Sequence, residues 1–273
     1  MTLLPSGVVS PKWHLGGTCF TGRGRGLRCG AVVFSGGAPY DAIQIDPRLL
    51  EPGGGVHLNE DGREAGGAPI DFDAKLLWQV TITIADIAPA IWRCLLLPED
   101  LNFAQLHEVI QAAFGWTDSH LHQFVVGGIV VGAPEFDEDG YNRYRTFEAS
   151  QVFLRDLVLH DLGEAKILYQ YDFGDCWRHW ITLDRQLTEA AEEAYPLLID
   201  GRRSAPPEDV GGTRGYTEFL KAWRDPEHED HRTMRRWVGR RFDPEAFDRE
   251  KTQKAIRSAL RRCRGTYRFR LES

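Results

Sequence analysis

The chain has 273 residues, a formal net charge of −7 and 42% hydrophobic residues. This composition is typical of a globular protein and excludes a collagen-like, coiled-coil or wholly disordered chain. No run of about 18 apolar residues is present, so no membrane partner is expected. The first residues lack a secretory signal pattern, and the five cysteines include no CxxC pair. We therefore expect a cytoplasmic protein without a disulfide framework.

Glycine and charge are unevenly distributed along the chain. Residues 1–70 contain 15 of the 28 glycines and few apolar groups, which predicts a flexible glycine-rich extension. Residues 71–248 carry 18 basic and 32 acidic residues, whereas residues 249–273 carry nine basic and two acidic ones. The predicted organisation is a flexible arm over 1–70, one folded domain over 71–263 and a basic tail over 264–273.

The folded part is predicted to begin with two strands and a helix. Apolar and polar residues alternate over 77–84, which indicates a half-buried strand, and residues 91–97 are apolar on both faces except Arg93. Asn102 and Gln105 have the spacing of a capping box, and Gly115 is placed to end the helix that follows. The apolar residues between these caps recur at helical spacing, so one helix face is predicted to lie in the core.

The remaining elements are predicted to be strands followed by helices. Strand character over 121–131 is interrupted by two glycines, and residues 165–171 and 176–183 read as a hairpin. A short helix is predicted within 151–159, an irregular loop over 201–212 and a helix over 215–223. Asp225-Pro226 and Asp243-Pro244 each have the pattern of an N-cap followed by proline at the first helical position. Because strands and helices are segregated along the chain, we predict an α+β fold with a mainly antiparallel sheet, one central helix and a C-terminal helical part.

Four segments are distinctive together: LHEVIQAAFGW running on to SHLHQF over 106–124, YDFGDCWRH over 171–179, PPEDVGG over 206–212, and AIWR over 90–93. DPEH over 225–228 and FDPEAFD over 242–248 follow in order. This set resembles the plasmid ORF-three-like family, which is named for an open reading frame on a hairy-root plasmid. The resemblance covers residues 76–260.

The resemblance implies a bacterial or archaeal protein associated with plasmids and insertion sequences, often labelled as a resolvase. It implies a curved antiparallel sheet and assigns no activity. An accessory or binding protein of a mobile element, with another protein of that element as a partner, is therefore the expected function. Many members of the family carry two cysteines where this chain has Ala205 and Val210. A metal or redox role that depends on that pair is thus disfavoured here.

Recombinase or resolvase activity is not expected. A serine recombinase requires an N-terminal catalytic domain with a positioned nucleophile, which the glycine-rich residues 1–70 do not supply. A tyrosine recombinase requires a His-x-x-Arg arrangement, whereas His231 and Arg235 are four positions apart and Tyr267 lies in the basic tail.

A candidate pocket is predicted from polar residues in the distinctive segments, namely His120, His122, Asp172, Asp175, His179, Glu208 and Asp209. His120, His122 and His179 with a carboxylate would suit zinc, nickel or iron and a metal-dependent enzyme. Alternatively, the histidines are hydrogen-bonded core residues and the acids hold turns or cap a helix. The first interpretation implies a divalent metal, and the second implies no cofactor.

Non-specific nucleic-acid binding is predicted for the basic C-terminal helices, through Arg235, Arg236, Lys254, Arg257, Arg261 and Arg262. Lys254, Arg257 and Arg261 share one helical face because they are three and four residues apart. The alternative is a solvated face that neutralises the protein's own acidic body.

Overall fold

An eight-stranded sheet and four helices make up most of the described part of the chain. The structure is a computed structural model and describes residues 43–45, 76–132, 146–159, 166–187, 195–239 and 241–262. The predictions for the arm over 1–70, apart from Ile43–Ile45, and for the tail over 264–273 lie outside the described residues. None of the helices in these ranges is long and apolar enough to cross a membrane.

The strands are β1 (Ile43–Ile45), β2 (Leu76–Ile84), β3 (Trp92–Pro98), β4 (His122–Val126), β5 (Ile129–Gly132), β6 (Thr146–Glu148), β7 (Leu157–Leu159), β8 (Lys166–Tyr171), β9 (Trp177–Leu187) and β10 (Leu197–Arg202). The sheet has the order β10-β3-β2-β9-β8-β4-β5-β6, while β1 and β7 pair separately. Every neighbouring pair is antiparallel except β5 with β6. The predicted α+β class with a mainly antiparallel sheet is confirmed.

The helices are α1 (Phe103–Phe114), α2 (Gly212–Arg224), α3 (His231–Val238) and α4 (Arg249–Arg262). The predicted caps of α1 are present: the Asn102 side chain accepts from the Gln105 amide, and Gln105 accepts in return from the Asn102 amide. Gly115 ends the helix in the left-handed conformation, with φ of 77°. The apolar stripe of α1 is buried against the sheet, where the rings of Phe103 and Phe124 meet edge to face.

Arg93 of β3 is a deeply buried cation, with only 3% of its surface exposed. Its guanidinium donates to the carbonyl oxygens of Ala113, Arg202 and Arg203 at 2.8–2.9 Å. The same group lies over the rings of Phe114 and Phe247. Burial lowers the pKa of Arg93 to about 10. One side chain thereby joins β3, the end of α1 and the end of β10.

The helix starts predicted at the two Asp-Pro pairs are wrong. Asp225 is the C-cap of α2, and its side chain accepts from the Glu227 amide in a turn that precedes α3. Asp243 makes the same turn with Glu245. Asp248 instead accepts from the Lys251 amide at the start of α4. An aspartate side chain that accepts from the amide two residues on can close a turn. It caps a helix only where the residues after it continue as helix, and those directly after Asp225 and Asp243 do not.

Two further segments differ from their sequence-based predictions. Residues 197–202 form β10 along the edge of β3, although part of this range was expected to be loop. The expected short helix over 151–159 is one 3-10 turn, Leu154–Asp156, followed by β7. Neither strand alternates clearly between apolar and polar residues, so the period that identifies a strand is missing from both.

Candidate functional site

The start of β4 and the end of β8 bring two of the distinctive segments side by side. His122 and Tyr171 are register partners in the β4–β8 ladder. Just beyond it, the Asp172 amide donates to the Leu121 carbonyl at 2.9 Å, and the Ser119 amide donates to the Tyr171 hydroxyl at 3.1 Å. The segment before β4 and the turn after β8 therefore lie side by side at one end of these two interior strands.

The Pro-Pro-Glu-Asp loop is hydrogen-bonded to the same end of the strands. The Trp116 indole donates to the Pro206 carbonyl at 2.9 Å. Glu208 accepts from the Thr117 amide at 2.9 Å and from the Tyr171 hydroxyl at 3.1 Å. Burial, reinforced by the Glu208 carboxylate, raises the pKa of the Tyr171 phenol above its usual range. This tyrosine is thus a neutral donor that holds the loop against the sheet.

His120, Asp172 and Asp209 form the polar centre of this end of the sheet. The His120 Nε2 atom lies 3.0 Å from Asp209 Oδ1 and 3.6 Å from Asp172 Oδ2. The side chain of His120 is 29% exposed, that of Asp172 is 9% exposed and that of Asp209 is 72% exposed. One ligand atom of each residue lies within 4.8 Å of the other two. The cluster therefore opens to solvent on the side of Asp209, while Asp172 forms its buried wall.

The backbone holds both acids in an unusual conformation. Asp172 has φ of 54° and Asp209 has φ of 57°, in the left-handed region that is costly for side-chain-bearing residues. Asp172 Oδ1 accepts from the amides of Gly174 and Asp175 at 2.9 and 3.2 Å. That turn fixes the carboxylate and leaves Oδ2 directed at His120.

Asp175 connects the turn to α2. Its carboxylate accepts from the Gly211 amide at 3.0 Å, and its carbonyl oxygen lies where a Cβ atom on Gly212 would come within 2.3 Å. Gly212 also has φ of 66°. Only glycine fits this approach, so the start of α2 and the Asp172–Asp175 turn are locked together. Asp175 acts through this contact and does not join the His120 cluster.

His122 lies in a separate, buried group. Its ring stacks on the ring of His107, with centroids 3.4 Å apart and planes 6° apart. His107 in turn meets the Asp118 carboxylate at 2.8 Å and the Tyr169 hydroxyl at 2.9 Å. Burial, and secondarily His107, keeps the pKa of His122 well below its ordinary value. The His107–Asp118 pair was missed by sequence analysis, although a histidine inside the apolar stripe of α1 was a signal for it.

His179 occupies a third environment, in the aromatic core. It is fully buried, and its ring centroid lies 5.2–5.3 Å from those of Phe114, Trp116 and Tyr169. Burial lowers the pKa of His179 to about 3. The three histidines considered together as metal ligands therefore occupy three different places, since His120 precedes β4 and alone reaches the carboxylates.

The two groups of potential metal ligands differ in their suitability. The stacked rings of His107 and His122 lie in parallel planes, so their nitrogen lone pairs do not converge on one point, and both His107 nitrogens have hydrogen-bond partners. His120, Asp172 and Asp209 instead present one nitrogen and two carboxylate oxygens toward a shared space. This mixed donor set suits first-row divalent metals.

The basic residues predicted to bind nucleic acid lie exposed on two helices, Arg235 and Arg236 on α3 and the remainder on α4. Arg235 stacks over the Trp223 ring. Arg262 donates to the Ser258 hydroxyl. Among the described residues, no carboxylate lies within ion-pair distance of the basic groups on α4. Direct pairing with the acidic body is thus absent from this part of the molecule.

Comparison with known proteins identifies relatives of this domain. The model of the plasmid pRiA4b ORF-3-like protein family matches residues 77–251. A protein of Sinorhizobium fredii (strain NBRC 101917 / NGR234) named uncharacterized protein y4hQ is 36% identical over 180 residues, which are 65% of this chain and 89% of that protein.

A solved structure has a similar fold. The crystal structure of the protein of unknown function MM3350 from Methanosarcina mazei Go1 superposes with a TM-score of 0.58 at 34% sequence identity. The similarity covers 65% of this chain and 96% of that chain. The shared part is therefore nearly the whole of the archaeal protein.

Proposed function

This chain belongs to the plasmid pRiA4b ORF-3-like family, and within that fold we propose that His120, Asp172 and Asp209 bind one divalent transition-metal ion. The proposal keeps the metal-dependent interpretation of the sequence and changes the ligand set. Two of the three histidines considered there are replaced by carboxylates from the turn after β8 and from the Pro-Pro-Glu-Asp loop.

The observation that carries the proposal is the spacing of the ligand atoms. Metal–ligand bonds of about 2.1 Å in tetrahedral geometry separate neighbouring ligand atoms by about 3.4 Å. The distances from His120 Nε2 to the carboxylates, 3.0 and 3.6 Å, lie on either side of that value. A small rotation of each side chain would equalise them around an ion.

The site would have the character of a catalytic centre. Structural zinc sites are closed by four protein ligands, whereas catalytic sites hold three and leave a position for water or substrate. Here three ligands are grouped and Asp209 is 72% exposed, so the remaining positions would face solvent. An ion in this setting would act as a Lewis acid on a bound oxygen ligand or on water.

Metal titration of the metal-stripped full-length chain tests the proposal. Calorimetry with Zn²⁺ and Mn²⁺ is expected to show one site, lost in His120→Ala and weakened at least tenfold in Asp172→Asn. Asparagine is the informative change because its Oδ1 still accepts from the Gly174 and Asp175 amides. His228→Ala, which removes a histidine outside the cluster, should bind like the wild type.

Two results of this titration would contradict the metal proposal. Equal binding by wild type and His120→Ala would overturn the proposal. Absence of binding to the wild type would do so too, and His120 would then serve as a hydrogen-bonding partner for the two carboxylates.

A second candidate function is non-specific nucleic-acid binding by the exposed face of α4, as an accessory activity in a mobile element. The observation that favours it is the lack of ion pairs between that face and described carboxylates. Replacing Arg257, Arg261 and Arg262 by alanine should weaken binding similarly for all DNA sequences and lower the salt slope by up to about three. Gel shifts over a salt titration measure both, and unchanged affinity in the variant would contradict this function.

A further inference from the structure

A groove between α2 and α3 lies beside the metal-ligand cluster and has a volume of about 480 Å³. Its floor is apolar: Phe219 and Ala222 of α2 are each 3% exposed. Met234 and Trp237 of α3 form the opposite wall. This volume lies within the range of about 300–1,000 Å³ typical of small-molecule sites.

The wall contributed by α3 is incompletely covered. None of the eight residues of α3 is buried, and Trp237 is 48% exposed although its ring meets Phe219 edge to face at 5.8 Å. A large aromatic side chain is costly to leave half in water. The groove thus offers an aromatic surface that nothing in the described part of the chain covers fully.

The charged side chains that line this groove are all carboxylates. The carboxylates of Asp209, Glu218 and Asp230 line the groove, and the lining includes neither lysine nor arginine. Lys221 meets Glu218 at 2.8 Å, but both side chains are more than 60% exposed, so this pair is weak. His228 is the remaining titratable side chain of the lining, and its Nδ1 accepts from the Asp230 amide.

We propose that this groove binds an organic cation in which ammonium groups flank a methylene stem, as in an aliphatic diamine or polyamine. The stem would lie on Phe219, Ala222 and Met234, which match its apolar character. An ammonium group would be attracted both by the face of Trp237 and by the carboxylates at the rim. The lining carboxylates repel phosphate or carboxylate ligands, which separates this site from the basic face of α4.

The site does not depend on a metal at His120, although Asp209 borders both places. The proposal is therefore tested on metal-stripped full-length protein, where failure of the metal proposal leaves the result unaffected. Spermidine and 1,6-diaminohexane are the probes, and 1,6-hexanediol is the uncharged analogue of equal length.

Calorimetry is expected to detect binding of both amines and not of the diol. Trp237→Ala should weaken the binding of 1,6-diaminohexane by about fivefold, and Glu218→Gln with Asp230→Asn together by tenfold or more. Glu250→Gln removes an exposed carboxylate from α4 and is the matched control, expected to leave affinity unchanged. Because Trp237 is half-exposed on a helix without buried residues, its replacement should preserve the thermal unfolding transition.

Three results would overturn the proposal. The first is equal affinity for the diol, which would mean that the groove recognises apolar surface alone. The second is equal weakening by Glu250→Gln, which would show diffuse attraction to the acidic body. The third is unchanged binding in both groove variants. A capped lysine amide in a parallel titration distinguishes the source of the ammonium group: stronger binding than 1,6-diaminohexane would identify a protein side chain as the ligand.

Discussion

The guanidinium Nε of Arg93 donates to the carbonyl oxygen of Ala113 at 2.9 Å, in the last turn of α1. The negative end of the α1 dipole is thereby met by a buried cation from β3. The same side chain also donates to the carbonyl oxygens of Trp92, Arg202 and Arg203, so its removal would take a donor from four acceptors.

We predict that Arg93→Met lowers the free energy of unfolding by about 3 kcal/mol or more, because unsatisfied buried carbonyl groups are costly. Methionine approximates the length of the arginine stem and preserves its packing. Chemical denaturation measures the effect. Arg257→Met, at an exposed position of α4, is the control and should change stability by less than about 0.5 kcal/mol. Similar values for the two variants would contradict the role assigned to Arg93.

The burial of His179 predicts a pH dependence of stability. Its folded-state pKa of about 3 lies below the unfolded value of 6.5. The unfolded chain therefore binds a proton first as the pH falls. The contribution of His179 to the free energy of unfolding is fully present above pH 6.5. It should decrease by up to about 1.4 kcal/mol per pH unit as the pH falls from 6.5 toward 3.

His179→Phe should remove this contribution, because phenylalanine fits the aromatic surroundings and does not titrate. The unfolding free energy of the variant should fall less steeply than that of the wild type between pH 6.5 and 4. Parallel slopes for wild type and His179→Phe would show that this histidine does not set the pH dependence.

The N-cap of α1 gives a prediction about stability. Asn102→Ala removes the acceptor for the Gln105 amide and should cost about 1 kcal/mol. Asn102→Asp keeps that acceptor and loses only the donor to the Ser150 carbonyl, so it should cost less. Thermal melts of the two variants decide the order. A larger loss of stability in Asn102→Asp than in Asn102→Ala would show that the hydrogen bond to Ser150 contributes more than the helix cap.

The close approach of Gly212 to Asp175 predicts a position-specific intolerance of alanine. Gly212→Ala would place Cβ 2.3 Å from the Asp175 carbonyl oxygen, whereas Gly239 has a similar positive φ and open space around it. Both substitutions strain the backbone, at about 1 kcal/mol. Only Gly212→Ala should also displace the turn that holds Asp172. We expect it to weaken metal binding as well as stability, and Gly239→Ala to affect stability alone.

The sequence correctly predicted the elements whose structure is decided by residues near one another in the chain. The α1 caps, the β2 alternation and the β8–β9 hairpin depend on residues close together in sequence, and each is present as expected. The edge strand β10 was missed because its residues do not alternate and its position depends on pairing with β3, about 100 residues earlier.

The candidate site followed the same rule. The meeting of His120 with Asp172 and Asp209 could be proposed from the grouping of polar residues at strand ends. The sequence does not show that His122 and His179 lie apart from this cluster, because their positions depend on where β4 begins and on the packing of α1. A spacing of two residues aligns side chains only within a strand, and His120 lies before β4 starts.

The pairing of β3 with β10 has a consequence for synthesis. Arg93 and Arg202 are 109 residues apart in sequence. At about 5–20 residues per second, the ribosome completes β10 on the order of ten seconds after β3. During that interval one backbone edge of β3 has no strand beside it. An open edge of this kind invites pairing with other chains. Nascent or truncated forms that end before residue 197 are therefore expected to aggregate more readily than the full-length chain.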